Sequence, residues 1–123
     1  MKSKIEEIAL LASKKGFEAK TLSTKWTLNA HLGISKSKTF LVNETCDYLL
    51  LAEMQKWLRE KHKIYSEIHS IEYTDINRMR FQSNVFSELY SEEWNDDINE
   101  EDVFDTYELA VIDSLKEAFK LIK

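Results

Sequence analysis

A chain of 123 residues with 43 % hydrophobic side chains, among them six Phe, five Tyr and three Trp, has the size and apolar content of one domain with one core. No apolar run approaches the about 18 residues that a membrane-spanning helix needs, and the early Glu6 and Glu7 do not fit a secretory leader, so residence in the cytoplasm is the expectation. One cysteine, Cys46, excludes an intrachain disulfide framework, and with three histidines it makes a standard zinc site improbable.

Taken in order, Ser3 and Glu6 have capping-box spacing, and Ile5, Ile8, Ala9 and Ala12 share one helical face up to Gly16, which predicts a helix over 4–15. Phe17 is placed to fold back on its last turn. Trp26, Leu28, Ala30 and Leu32 alternate with polar Lys25, Thr27, Asn29 and His31, a period of two that predicts a half-buried strand ending at Gly33. Thr39–Val42 is β-prone and Asn43 is a good helix cap. The second helix is expected over 44–61, filling its inner face with Leu50, Met54, Trp57 and Leu58, and Arg59, Lys61 and His62 complement its dipole.

Ile64–Tyr73 is rich in β-branched and aromatic residues, Thr74–Asn77 is turn-prone, and Arg78 to about Phe86 is expected to return as the second strand of a hairpin. Val85, Phe86, Leu89, Tyr90 and Trp94 also fit a helical face, but the strand is the preferred reading. In the last helix Asp105 is the expected cap, Glu108 completes its box, and Phe104 and Leu109 form a staple. Tyr107, Ala110, Val111, Ser114, Leu115, Ala118, Phe119 and Ile122 form its buried stripe. The fold class is α+β in a single domain over 1–123: an N-terminal helix, a central helix, an antiparallel hairpin or small sheet, an acidic loop, and a C-terminal helix packed on the sheet.

The net charge of −5 conceals a segregation. Residues 1–80 hold fourteen basic and ten acidic side chains, whereas residues 81–115 hold eleven acidic and no basic ones. Like charges at this density repel one another, so the stretch is either a solvated loop that keeps the protein soluble or a surface that docks on a basic partner. For docking, the candidate residues are Glu92, Glu93, Asp96, Asp97, Glu100, Glu101 and Asp102. Asp97, Asn99, Glu101, Asp105 and Glu108 also match the first, third, fifth, ninth and twelfth places of a calcium loop. The sixth place, where glycine makes the sharp turn, is Asp102, so the match is incomplete and no metal is assigned.

The remaining titratable residues carry weaker signals. Cys46 sits near a helix start without an identifiable base, His62 and His69 read as surface histidines, and nothing chemical follows from His31. No phosphate-cradling glycine loop, nucleophile elbow or paired-cysteine motif is present, so neither an enzyme nor a cofactor is expected. The alternative to acidic docking is nucleic-acid binding through one patch built from Lys56, Arg59, Lys61, Arg78 and Arg80.

The segment Gln55-Lys56-Trp57-Leu58-Arg59-Glu60-Lys61-His62-Lys63-Ile64, with Phe104-Asp105-Thr106-Tyr107-Glu108 and the Leu115–Ile122 helix end, resembles small uncharacterised proteins of bacteria, phages and other mobile elements. The resemblance covers about Tyr48 to Lys123 and implies kinship, not chemistry. The element order is also similar to the double-stranded-RNA-binding fold if a third strand forms near Val103. That family places lysines at the start of its last helix to meet phosphates; Asp105, Glu108 and Asp113 stand there in this chain, so the topology does not imply RNA binding.

Overall fold

The structure, a computed structural model, describes residues 2–34, 44–73, 78–87 and 102–122. Thr39–Val42, the Asn43 cap, the Thr74–Asn77 turn and the Ser3 side chain of the first capping box lie outside what is described. The elements are α1 (Lys2–Lys14), α2 (Leu22–His31), α3 (Glu44–Trp57), a π-turn (Leu58–His62), β1 (Ile64–Tyr73), β2 (Arg78–Ser87), β3 (Val103–Phe104) and α4 (Tyr107–Lys120). Among them, no helix is long and apolar enough to cross a membrane.

Helix α1 buries Ile5, Ile8, Ala9 and Ala12, the face its periodicity predicts. Its end is a Schellman stop: the Phe17 N–H donates to the Ala12 carbonyl at 3.0 Å, the Gly16 N–H donates to that of Ser13 at 3.1 Å, and Gly16 takes φ +96°. Phe17 is thereby turned into the core, only 2 % exposed.

The strand expected over 26–32 is instead helix α2. Thr24, Thr27 and Leu28 are buried, a helical spacing, while Trp26, which a strand would place beside Leu28, is 48 % exposed. Polar residues carry much of the inner face, so the apolar alternation pointed to the wrong period. The second glycine ends this helix as the first ended α1. Gly33 takes φ +73°, with the Ile34 N–H donating to the Asn29 carbonyl at 2.8 Å and the Gly33 N–H to that of Ala30 at 3.2 Å.

Helix α3 stops four residues earlier than expected and continues as the π-turn, after which Lys63 adopts a left-handed conformation at φ 56°. Strand β1 pairs antiparallel with β2 along its whole length, from Ile64 opposite Ser87 to Tyr73 opposite Arg78. The third strand does form: Val103 and Phe104 pair with Gln82 and Phe81, giving a sheet of order β1-β2-β3.

Helix α4 packs on this sheet and also meets α1 and α3. Contacts on more than one side explain why Ile112 is buried beside the expected Ala110, Val111, Ser114, Leu115, Ala118 and Phe119. Tyr107, assigned to the same stripe, is instead 48 % exposed and meets Phe81 edge-on. The cap is also one residue later than expected. Thr106 Oγ1 accepts from the Leu109 N–H at 3.2 Å, and Asp105 is released for other contacts.

A directed chain of hydrogen bonds crosses the interface between α4 and the sheet. Ser114, fully buried, donates through Oγ to the Asn84 carbonyl at 2.7 Å, so its oxygen must accept from Ser66 Oγ, also 2.7 Å away. Gln55 Nε2 donates to Ser66 Oγ in turn, at 3.4 Å, so α3, β1, α4 and β2 are joined by one polar seam.

Candidate binding surfaces

Of the acidic candidates, Glu92, Glu93, Asp96, Asp97, Glu100 and Glu101 lie outside the described residues. Asp102 is half-buried immediately before β3. In the calcium pattern, Asp97, Asn99 and Glu101 are likewise outside, and Asp105 is committed to arginines: its Oδ1 lies 2.9 Å from Arg78 Nη2 and 3.2 Å from Arg80 Nε. Among the described residues, no group of three His, Cys, Asp or Glu side chains is arranged to hold a metal.

The same clamp bears on the basic candidates. Arg80 Nη2 donates to the Val103 carbonyl at 3.3 Å as well, so Arg80 ties β2 to β3, and both arginines tie it to Asp105 ahead of α4. Lys56, Arg59 and Lys61 are exposed at the end of α3 and in the π-turn, next to the Ile64 end of the hairpin. Arg80 stands opposite Ile71, near the other end. Seven steps of about 3.3 Å along the strand lead from Arg80 to Ser87, the partner of Ile64. The five residues are therefore two groups about 23 Å apart along the strand, not one patch.

The histidines divide differently from their sequence reading. His69 is exposed on β1, 3.7 Å from Glu67. His62 packs its ring against Trp57 with centroids 4.7 Å apart, and its buried Nε2 has no hydrogen-bond partner. Burial, and then the neighbouring Lys61 charge, hold His62 below the ordinary imidazole value. His31, at the end of α2, places Nε2 2.8 Å from Asp47 Oδ1 on α3, with its side chain 2 % exposed. Cys46, beside Asp47, is partly exposed and forms no disulfide.

Sequence reasoning missed the most developed polar site, centred on Glu53 of α3. The Lys20 N–H donates to its Oε1 at 2.5 Å, Thr24 Oγ1 donates to Oε2, and Thr21 Oγ1 lies 3.2 Å from Oε2 and 2.5 Å from Thr24 Oγ1. Thr21 is the residue preceding α2, and its own side chain makes no cap, so Glu53 supplies negative charge to that helix start from a neighbouring helix. Burial is the largest influence on this carboxyl and raises its pKa. The hydrogen bonds from Thr24, Lys20 and Thr21 together outweigh it, and the group is held below its ordinary value of 4.5.

Glu53 opens on a groove of about 400 Å³ between α3 and the α1–α2 connection. Phe17, Leu49, Ala52 and Trp57 give it apolar walls, and Glu18, Lys20, Lys56 and Glu60 stand around it. The α3 members recur every three or four residues, which is why one helix face lines the groove. The groove was invisible in the sequence because its two walls, residues 17–24 and one face of α3, lie far apart in the chain and meet only in the fold. No protein-family model, curated protein or solved structure matches this chain.

Proposed function

We propose that this chain is a non-enzymatic binding protein that docks the acidic segment Glu92–Asp102 on a basic protein surface, acting in the cytoplasm as an accessory factor of phage or mobile-element origin. The observation that carries the reading is the charge segregation: eleven acidic and no basic residues over 81–115 in a chain whose first eighty residues are net basic. The Asp105 clamp adds weight against the nucleic-acid alternative, because it engages Arg78 and Arg80 with an internal carboxylate and β3, far from Lys56, Arg59 and Lys61. The origin rests on the resemblance of Gln55–Ile64 and Phe104–Glu108.

The test compares capture from host lysate by the wild type and by a variant with Glu92, Glu93, Asp96, Asp97, Glu100, Glu101 and Asp102 changed to Gln or Asn. The captured protein is then purified and its affinity measured against salt. Docking predicts a basic partner that the folded variant loses and that weakens as salt rises. Equal capture by both, or affinity insensitive to salt, refutes it.

A further inference from the structure

The groove beside Glu53 has a charge without a counter-charge. A carboxylate accepts about four hydrogen bonds, and the donors at Glu53 are all neutral: the Lys20 N–H and the hydroxyls of Thr21 and Thr24. Among the described residues, no Lys, Arg or His forms an ion pair with it, and none of the influences on its ionisation comes from a neighbouring charge. The Lys20 and Lys56 side chains are exposed instead. An ionised, partly desolvated group facing apolar walls is electrostatically incomplete, and a cation brought into the groove gains more there than it would in open water.

The surroundings select the kind of cation. A metal ion would find one carboxylate, and no three-member ligand group exists among the described residues. Its remaining neighbours here are the hydrogen-bond donors aimed at the same oxygens. An organic cation needs one carboxylate lone pair for its N–H and covers apolar surface with its stem, which Leu49, Ala52, Phe17 and Trp57 provide. The volume of about 400 Å³ falls within the small-ligand range.

We propose that the groove between α3 and the α1–α2 connection binds a primary ammonium or guanidinium group carried on a short apolar stem, with Glu53 as its counter-ion. The site is separate from the acidic segment and stands or falls without it. The same chemistry is offered by a free amine and by a lysine or arginine side chain of a partner.

The experiment titrates n-hexylammonium into the full chain and follows the Trp57 indole N–H and the Lys20 and Thr24 amides by NMR. Saturable shifts at these three positions are expected, with n-hexanol, the same stem without the charge, binding about tenfold weaker or less. Glu53→Gln should cost about tenfold or more in affinity. Ala52→Trp, which fills the groove and leaves the Glu53 hydrogen bonds in place, should abolish the shifts even if the first variant is poorly folded. Absence of saturation, equal binding of hexanol, or unchanged binding in folded Ala52→Trp overturns the proposal. A short peptide with one lysine between apolar residues distinguishes the sources. Competitive binding at least about tenfold tighter than the amine, as added contacts would give, assigns the site to a partner's side chain; no such gain assigns it to a free amine.

Discussion

Replacing Glu53 by alanine removes the acceptor that ties the start of α2 to α3. The exposed Lys20 N–H can turn to water, and the Thr24 hydroxyl, although the residue is 2 % exposed, keeps the Thr21 carbonyl at 3.0 Å as a second acceptor. The loss is therefore that of charge-assisted bonds without a fully orphaned donor, discounted for solvent screening, and comes to about 1–2 kcal/mol at neutral pH. In a domain of this size that lowers Tm by about 4–8 °C. The pH dependence gives a sharper check. A carboxyl held below its ordinary value stabilises the fold above its unfolded pKa of about 4.5, and the contribution fades as pH falls through the lower folded value. Urea unfolding of wild type and variant from pH 7 down to pH 3 should show the two stabilities converging at the acid end. A difference below about 0.5 kcal/mol at pH 7, the size of an ordinary surface substitution, or one that stays constant across the range, would refute this account of Glu53.

Four other substitutions probe the fold that holds the site. Ser114→Ala leaves Ser66 Oγ and the Asn84 carbonyl without their shared partner in a buried interface, and urea denaturation should show a loss of about 1–3 kcal/mol. Gly33→Ala meets nothing within 4 Å but forces φ +73° on an L side chain, so thermal melting should show a backbone cost of about 1–2 kcal/mol without a packing defect in the core. Thr106→Ala removes the cap of α4 and should cost about 1 kcal/mol. Asp105→Ala, which loses exposed ion pairs, should cost less, with the ranking read from paired denaturation curves.

The elements legible in the sequence are those whose own residues state their period. Ile64–Tyr73 was read to the residue because its β-branched and aromatic run has no helical caps, and the strand preferred over Arg78 to about Phe86 is β2. The last helix was equally plain, apart from a cap displaced by one residue, since Asp105 and Thr106 are both cap formers and only the contact of Asp105 with Arg78 and Arg80 separates their roles. Helix α2 was misread because its inner face buries Thr24, hydrogen-bonded to Glu53, and Thr27, whose Oγ1 has no hydrogen-bond partner among the described residues, in place of apolar residues, and β-branched threonines raise the strand expectation. The Glu53 site was illegible for a related reason. Its donors lie 29 to 33 residues away, and nothing local to α3 distinguishes Glu53 from any other exposed helix glutamate. The His31 contact with Asp47 depends likewise on the two helices meeting.

The π-turn at Leu58–His62 sets the phase between a helix that repeats every 3.6 residues and a strand that repeats every two. Leu58 and Ile64, on either side of it, are both essentially inaccessible, so the turn must deliver the chain into β1 with its first residue facing inward. Arg59, Glu60 and Lys61 are solvent-exposed and each is replaceable in kind. Their number is not replaceable, because removing one would rotate the exit by a helical step and present the opposite face of the whole strand to α4. This stretch of surface is therefore permissive to substitution and intolerant of deletion: its chemistry is free and its length is fixed.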